Sequence, residues 1–386
     1  MPAHDPRGTA HPARNTAPVG IAPAAVETTP VAGDPRHARP EVEAARAVRF
    51  TDSQIEMAHG AGGQASRRLI EGLFVPLFAG PLAAPLADAA VVEIDGVRLA
   101  LTADTFVVRP LRFPGGSIGE IAVNGTVNDL AVSGAKPLAL VSAFVLEAGL
   151  SGETLAAEAR AMALAAERAA IAIVGGDTKV VEHGKADGMY ITTAGIGRVD
   201  PRVCCSPASV RPGDKVLLSG PIGDHGVTVL LARGDVGLEA DLRSDTRPLW
   251  PFIDAMIERA GAGIRWMRDP TRGGVATALN ELARDTGLGV ALFEDRVPVR
   301  EPVRGACELL GLDPLHIANE GQFLAIVDPE YTDAALAAVQ RIRGGEAAAI
   351  VGEVRAEPAR LLVSISAYGS ARVVDMLVGD PLPRIC

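Results

Sequence analysis

Two neighbouring segments, 117-SIGEIAVNGTVNDLAVSG-134 and 137-PLALVSAFVLEAG-149, decide the fold of this chain. In the first segment apolar residues recur at helical spacing, between a serine suited to begin a helix and a glycine suited to end one. The second segment is an almost unbroken apolar run, which is typical of a buried strand. We therefore predict a helix followed by a strand, with Asn128 and Asp129 on the later turns of the helix.

The flanking segments extend this pattern. Asp95 and Gly96 join two β-rich runs and predict a hairpin, with Asp104 in or near the end of its second strand. Residues 151–169 predict an amphipathic helix, and residues 171–180, IAIVGGDTKV, predict a strand that enters a glycine turn. Because strands and helices alternate unevenly, we expect the first half to have an α+β fold.

A turn-rich stretch at 200–214, DPRVCCSPASVRPGD, is the best candidate for a domain boundary. We predict an N-terminal domain at 50–200 and a C-terminal α/β domain at 201–370, where strand and helix patterns follow each other again. Residues 371–386 are expected to form a mobile tail. Residues 1–49 are rich in Pro and Ala, and we interpret them as a disordered extension.

Composition excludes several classes of function. The formal net charge of −10 repels a phosphate backbone, so nucleic acid is not an expected partner. No apolar run approaches the ~18 to 20 residues that span a membrane. The four cysteines form neither a C-x-x-C pair nor a secreted disulfide pattern, which favours a reducing cytoplasm.

Five clusters of acidic or glycine residues indicate where chemistry takes place. They are HGAGG (59–63), TADT (102–105), VND (127–129), GGDTK (175–179) and GDHG (223–226). Asp104, Asp129 and Asp177 each fall near the edge of a predicted element, where carboxylates can converge on a hard cation such as Mg²⁺ with its bound phosphates. The glycines Gly60, Gly62 and Gly63 would let backbone N–H groups approach those phosphates.

The remaining members of these clusters are weaker candidates for the same nucleotide site. They are Asn128, Gly176, Thr178, Asp224 and His225, together with Asp269 in RDPTRGG (268–274). The chain has no P-loop motif, and GAGG does not follow a predicted strand as a dinucleotide fingerprint would. The histidines lack zinc-ligand spacing.

The chain resembles the HypE family of hydrogenase maturation factors, within the aminoimidazole ribonucleotide synthetase-like (PurM-like) ATP-binding superfamily. The shared motifs are, in order, HGAGG, TADTFVV, VNDLAVSGAKP, GGDTKVV, GDHG, RDPTRGG, ANEGQ and the terminal PRIC. The likeness runs from about residue 51 to residue 386, and PRIC is the motif that singles out the HypE family.

The resemblance implies a two-domain PurM-like fold that forms a homodimer through its N-terminal domains, with ATP and Mg²⁺ as cofactors. It implies that the carbamoyltransferase HypF loads Cys386 with a carbamoyl group. ATP then drives dehydration of this thiocarboxamide to a thiocyanate, and the cyano group passes to iron on the HypC–HypD scaffold. A terminal thiol that visits several sites needs a free end, and an extended tail of 17 residues reaches roughly 55–60 Å. Pro381 and Pro383 are expected to stiffen its tip.

Roles for individual residues follow from the same resemblance. Asp104, Asp129 and Asp177 are expected to hold Mg²⁺-ATP, Lys179 to stabilise charge on the phosphoryl group or the thiocarboxamide, and Glu320 to remove the nitrogen proton. The alternatives are a solvated surface cation for Lys179 and a structural cap for Glu320.

Two other functions remain open on sequence grounds. A selenophosphate synthetase-like kinase, or another small-molecule kinase of the superfamily, is one; such a synthetase carries its reactive residue beside the N-terminal glycine loop, where this chain has His59. The other is a carrier without catalytic activity, whose terminal thiol ferries a group between partners.

Overall fold

The computed structural model describes residues 49–78, 86–377, 379, 382 and 384–386. Within them, no helix has the length and apolar character needed to cross a membrane. The predicted extension at 1–49 lies outside the described residues except for Arg49, and so do Pro381 and Pro383.

The first half of the fold is a five-stranded sheet in the order β1-β2-β7-β5-β6. Its strands are β1 (Ala90–Ile94), β2 (Val97–Phe106), β5 (Ala135–Glu147), β6 (Ala172–Val181) and β7 (Met189–Val199). Neighbouring strands are antiparallel except for β5 and β6. The predicted hairpin is confirmed, because Ile94 pairs with Val97 across Asp95 and Gly96.

Two helices pack against this sheet, α3 (Ile118–Val132) and α4 (Gly152–Arg168). The helix and strand predicted from residues 117–149 are therefore confirmed. Helix α3 is buried on nearly every side, because it lies between the sheet, α4 and the second half of the chain. The Ser151 hydroxyl caps α4 by accepting from the backbone N–H groups of Glu153 and Thr154.

The second half contains a seven-stranded mixed sheet in the order β14-β13-β10-β12-β8-β11-β9. Its strands are β8 (Lys215–Leu218), β9 (Ile264–Arg268), β10 (Gly289–Phe293), β11 (Leu324–Val327), β12 (Ala349–Arg355), β13 (Leu362–Ile365) and β14 (Ala371–Val374). The helices around it are α5 (Asp224–Ala232), α6 (Trp250–Ala260), α7 (Gly274–Thr286), α8 (Glu301–Leu310) and α9 (Thr332–Gln340).

The remaining elements are short. Before the first sheet lie α1 (Gln64–Leu69), a π-helical stretch at Ile70–Phe74 and α2 (Val75–Phe78). Strands β3 (Arg112–Phe113) and β4 (Gly116–Ser117) form a small hairpin just before α3.

The structure corrects two predictions. The GGDTK motif does not form a turn: β6 runs straight through it, because Gly176 can pass within contact distance of the Ser142 carbonyl, where a β-carbon would collide. The tail is also shorter than predicted, because residues 371–374 pair with β13 as β14. A mobile tail beginning at residue 371 is therefore wrong for these four residues.

One face of the first sheet is apolar and exposed. On β2, Ala100 and Phe106 are buried toward α3, whereas Val97 and Leu101 point the other way and remain 43% and 42% exposed. The strand register places further exposed apolar side chains on the same face: Val92 and Ile94 on β1 and Val141 on β5. We call this set the exposed sheet face.

Asn128 joins the two halves of the fold. Its side-chain amide donates to the carbonyl oxygens of Arg247 and Glu320, both at 3.1 Å, and its side-chain oxygen accepts from the backbone N–H of Leu249 at 2.8 Å. The residue is 1% exposed, so water cannot replace these partners. Its side chain is therefore used for structure rather than directed at a ligand.

We expect Asn128→Ala to lower the free energy of unfolding by about 2–4 kcal/mol, because it leaves three buried backbone groups without partners. Urea unfolding monitored by circular dichroism measures this loss. Gln340→Ala, which removes one hydrogen bond at the exposed end of α9, is the control and should cost less than about 1 kcal/mol. Equal losses in the two variants would contradict the assigned role.

Candidate active site

A cavity of about 700 Å³ collects side chains from both halves of the fold. Its wall combines the glycine loop before α1, strand β2, helix α3, the loop after β9, helix α7 and the end of the tail. Acidic side chains dominate the lining: Glu71, Asp88, Asp104, Asp129, Asp269, Glu281, Asp285 and Glu320. We call it the acidic cavity.

Three carboxylates converge at one point of the acidic cavity. Asp88 before β1, Asp129 on α3 and Asp269 after β9 each place an oxygen within 4.8 Å of the others. The Thr102 hydroxyl helps to fix the cluster, at 2.8 Å from the Asp129 carboxylate and 2.9 Å from the Asp88 carbonyl oxygen. The Arg268 guanidinium lies 2.9 Å from the Asp88 carboxylate.

Burial and mutual repulsion raise the pKa of all three carboxyl groups. Desolvation is the largest cause in each case, and the negative charges of the neighbouring carboxylates add to it. The pKa of Asp88 rises to about 6 although Arg268 acts in the opposite direction. A divalent cation with oxygen preference would relieve this repulsion, so the three residues fit Mg²⁺ both in ligand type and in charge.

The glycine loop packs directly against the loop after β9. Gly62 has a positive φ of 76°, and a β-carbon there would lie 2.8 Å from the Arg272 β-carbon. The Arg272 guanidinium donates to the Gly60 carbonyl oxygen at 2.8 Å, which holds the two loops together. Gly62 and Gly63 line the cavity, although the Gly62 N–H already donates to the Ser66 hydroxyl at 2.8 Å.

Hydrogen bonds fix the backbone of Glu320, whereas its carboxyl group is buried and incompletely hydrogen-bonded. Its N–H donates to the Asp245 carboxylate at 3.0 Å, and its carbonyl oxygen accepts from Asn128. The side chain is 3% exposed, and one of its carboxylate oxygens is buried without a hydrogen-bond partner. Desolvation, followed by the charges of Asp104 and Asp269, raises the pKa of Glu320 well above its usual value. The raised pKa makes the Glu320 carboxylate a stronger proton acceptor than an exposed glutamate.

The tail delivers its final residue into the same cavity. Cys386 lines the cavity that Glu320, Asp104 and the three converging carboxylates also line. Behind it, Ile385 and Leu382 are 3% and 5% exposed and pack into a hydrophobic cluster formed by residues of both halves. The end of the tail is therefore docked, with Cys386 in the wall of the acidic cavity and packed against the hydrophobic cluster.

The other predicted residues lie in different places. Asp104, on β2, lines the cavity, and burial raises the pKa of its carboxyl group. Asp177 and Lys179 form an ion pair on β6, outside the cavity lining, with side chains 61% and 69% exposed. Gly176 and Thr178 share that strand. Within one chain, Asp104 and Asp129 therefore line the same cavity, whereas Asp177 lies outside it.

The GDHG motif supports the site from behind. Asp224 begins α5 and pairs with Arg300 at 2.8 Å, while burial raises the pKa of its carboxyl group to about 6. His225 is fully buried, and burial lowers its pKa, which favours the neutral ring. Its Nε2 donates to the Ile385 carbonyl oxygen at 3.0 Å, and its Nδ1 lies 2.8 Å from the Ser244 hydroxyl. His225 therefore contacts the tail rather than the acidic cluster.

Comparisons with known proteins identify the family. Residues 86–199 match the model of the AIR synthase related protein, N-terminal domain, and residues 211–363 match that of its C-terminal domain. The carbamoyl dehydratase HypE of Azotobacter vinelandii is 48% identical over 335 residues, which cover 87% of this chain and 98% of that protein. The chain belongs to the HypE family of carbamoyl dehydratases.

Solved HypE structures agree with this assignment. A HypE–HypF complex contains a chain with 42% identity and a TM-score of 0.76, and the match covers 80% of this chain and 99% of that one. A hydrogenase maturation protein HypE in complex with ATP has 43% identity and a TM-score of 0.72, with 86% and 99% covered. The predicted α+β fold of the PurM-like superfamily is confirmed.

Sequence reasoning missed three residues of this HypE-family cavity. Asp88 stands alone in PLADAAVV, with no glycine or second acid to mark it. Arg268 and Arg272 flank Asp269 within RDPTRGG, so the motif was recognised but its basic members were not. One signal was available for the two arginines. Several acidic residues buried in one site require basic side chains nearby, and the RDPTRGG motif contains two.

We expect Mg²⁺ to raise the midpoint of thermal unfolding, and more so at about pH 7.5 than at about pH 5. The folded-state pKa values of the three carboxyl groups are raised, so the metal-free fold is favoured while they are protonated. The metal-free folded state loses this contribution to its stability as the pH rises through the pKa of Asp88, about 6. Scanning calorimetry with EDTA or Mg²⁺ measures the difference.

Asp129→Asn should abolish the Mg²⁺-dependent increase and should raise the midpoint in EDTA, because one repelling charge is removed. Asp95→Asn, in the exposed hairpin turn, is the matched control and should retain the wild-type response. An undiminished Mg²⁺ response in Asp129→Asn would exclude Asp129 as a ligand.

Proposed function

We propose that this protein catalyses the ATP-dependent dehydration of its own carbamoylated C-terminal cysteine to a thiocyanate, which supplies a cyanide ligand for the iron of a [NiFe]-hydrogenase. One observation carries the proposal: Cys386 and the buried Glu320 line one cavity together with the acidic cluster. Relatives named carbamoyl dehydratase HypE, and a solved HypE in complex with ATP, support it.

The reaction requires different chemistry at the oxygen and at the nitrogen of the carboxamide. ATP transfers a phosphoryl group to the carboxamide oxygen, so that the oxygen leaves as phosphate, and loss of the remaining nitrogen protons leaves S–C≡N on Cys386. Glu320 is the group that accepts a nitrogen proton, because it lines the same cavity as Cys386 and its raised pKa makes its carboxylate a better proton acceptor. Arg272 lies beside Asp104 and the glycine loop, and it is the cation that we assign to stabilise phosphoryl charge.

Asp88, Asp129 and Asp269 are the residues that would hold Mg²⁺, with Asp104 beside them. The ion would neutralise the negative charge of the nucleotide phosphates in a site that is itself acidic. Without it, the carboxylates would repel ATP. Of the three predicted ligands, Asp104 and Asp129 lie in the acidic cavity of the same chain. Asp177 does not, so its role needs another explanation.

We propose that Asp177 and Lys179 serve the site of a second copy in a homodimer. Many exposed apolar side chains lie on β1, β2, β5 and β6. An exposed apolar surface of this kind usually marks an interface with another protein chain. Strand β6 forms one of the two edges of that sheet and carries the solvent-exposed Asp177–Lys179 pair. If the exposed sheet faces of two copies pair, β6 comes close to the other copy and can bring both residues to its nucleotide.

The tail must also serve partners. We propose that HypF, which a solved complex places with HypE, carbamoylates Cys386, and that the HypC–HypD complex accepts the cyano group. The Gln64 N–H donates to the Leu377 carbonyl oxygen, and the nine residues beyond Leu377 can extend over about 30 Å when the end of the tail is released. The undocked thiol can therefore reach beyond the cavity. A reaction on a free thiol fits the reducing cytoplasm.

Glu320→Gln should accept the carbamoyl group but lose water at least about 10²-fold more slowly, because the base is removed. The measurement is intact mass of the full chain after incubation with HypF, carbamoyl phosphate and ATP, with ATP affinity determined separately by calorimetry. Glu308→Gln, on the exposed side of α8, is the matched control and should behave as wild type.

Accumulation of the carbamoyl mass in Glu320→Gln, with ATP affinity retained, is the expected result. Water loss at the wild-type rate would remove Glu320 from the mechanism. If the wild-type chain itself holds the carbamoyl mass indefinitely with ATP, it is a carrier and not a dehydratase.

Mixing two inactive variants tests the homodimer. If Asp177 acts across the dimer, Asp177→Asn and Asp129→Asn are each inactive, but half of the randomly mixed dimers contain one intact site, which restores about a quarter of wild-type activity. If Asp177 acts within its own chain, mixing restores nothing. Normal activity of Asp177→Asn alone would exclude it from the site.

A further inference from the structure

The last three residues, which we call the tail tip (384–386), are bound through each of their carbonyl groups. The Arg384 carbonyl oxygen accepts from the Arg109 N–H at 3.3 Å and from the Arg233 guanidinium at 2.6 Å. The Ile385 oxygen accepts from His225, and the Cys386 oxygen accepts from the Val107 N–H at 3.1 Å. The tip thus pairs with the segment just beyond β2, as an added strand pairs with a sheet edge.

The side chain of Arg384 has its own binding site. Its guanidinium forms an ion pair with Asp187, in the loop between β6 and β7, and lies 3.3 Å from the Val107 carbonyl oxygen. Tyr190 donates to the same Asp187 oxygen at 3.3 Å. Burial alone would raise the pKa of Asp187, but the hydrogen bond and charge of Arg384 outweigh it and lower the pKa. Asp187 is thus ionised and oriented toward the tip.

Arg233 reinforces this site from α5. Its Nε donates to the Arg109 carbonyl oxygen at 2.9 Å, while another guanidinium nitrogen holds the Arg384 carbonyl. Arg384 itself has a positive φ of 59°, which is unfavourable for a residue with a β-carbon. Contacts of the Arg384 side chain with Asp187, and of its carbonyl oxygen with Arg233 and Arg109, therefore maintain this backbone conformation.

The start of the tail is fixed independently of the tip. Asn280 donates to the Val374 carbonyl oxygen at 3.0 Å, and His316 contacts the Asp375 carbonyl oxygen at 3.0 Å. The Gln64 side-chain amide donates to the Met376 carbonyl oxygen at 3.4 Å. The tip contacts therefore do not hold the whole tail in place; they decide only where the thiol lies.

We propose that Asp187, with Arg233 and the segment beyond β2, forms a recognition site that selects an arginine two positions before the reactive cysteine. Asp187 acts as a positioning residue: it places the thiol in the acidic cavity and sets the fraction of molecules in which the thiol is free for a partner. The proposal rests on the proposed function for its purpose. The binding of the tip itself can be tested without any catalytic step.

The rate at which iodoacetamide alkylates Cys386 in the full chain measures how often the tip is undocked. Asp187→Asn and Arg384→Gln should each raise that rate by about threefold to tenfold, because a partly buried charged hydrogen bond is lost. The C-terminal peptide, quantified by mass spectrometry, separates Cys386 from the other three cysteines. Glu182→Gln, in the same loop but exposed, is the matched control and should alkylate at the wild-type rate.

The double variant distinguishes recognition from general loosening. If Asp187 and Arg384 act as a pair, the double variant alkylates no faster than either single variant. Added salt should accelerate alkylation of the wild type and not of Asp187→Asn, because salt screens an ion pair that the variant lacks. Additive effects, or single variants within about 1.5-fold of wild type, would overturn the proposal.

A second measurement links the site to catalysis. Once carbamoylated, Asp187→Asn should lose water more slowly than wild type by a similar factor, with its ATP affinity unchanged. Unaltered dehydration in Asp187→Asn would show that the site does not position the thiol for reaction. If alkylation responds as expected but the wild type never dehydrates its thiocarboxamide, the recognition site stands and the proposed function fails.

Discussion

Repulsion among carboxylates in one partly buried cavity is the constraint on which the rest of the structure depends. Asp88, Asp129 and Asp269 approach within 4.8 Å, and Glu320 is buried near them with an unpartnered oxygen. Such a cluster destabilises a fold unless something compensates for it. Arg268 and Arg272 compensate in part, and a cation with oxygen preference would fit the negative charge that remains.

The fold supports this cavity by holding its parts rigidly from several directions. Helix α3 is buried on almost all sides and carries Asp129, while its neighbour Asn128 ties the helix to the loop of Glu320. The same loop is held from the other side by Arg247, whose guanidinium donates to the Gly321 carbonyl oxygen at 2.7 Å. A carboxylate whose loop is held on both sides by hydrogen bonds keeps its geometry without waiting for a ligand.

The substrate of the proposed reaction is part of the chain, which changes what the binding site has to do. Affinity for a free molecule is not required, because the tail keeps the thiol at a high local concentration. The site must instead release the tip for partners and capture it again. Backbone pairing and a few polar contacts suit that task better than a large apolar interface, since a tip held too strongly would not be available to a partner.

Much of the fold and half of the site could be predicted from local patterns. Residues 117–149 determine their own helix and strand through apolar periodicity, and the Asp95–Gly96 turn determines a hairpin, because these preferences act over a few residues. The glycine and aspartate motifs with the terminal PRIC indicated the family, and they include Asp104, Asp129, Asp269, Glu320 and Cys386, which all line the cavity.

Only the tertiary structure decided which of these residues meet. Asp88 carries no local signal and joins the cluster because β1 and β2 bring it next to Thr102 and α3. Asp177 belongs to a strong motif, yet β6 lies at the sheet edge and leaves it in solvent. The partners of the tail tip, from Val107 to Arg233, are scattered along the chain and share no pattern. The physical reason is that a helix or turn forms through interactions between near neighbours, whereas charge compensation and tip binding depend on distances that exist only after the two halves have packed.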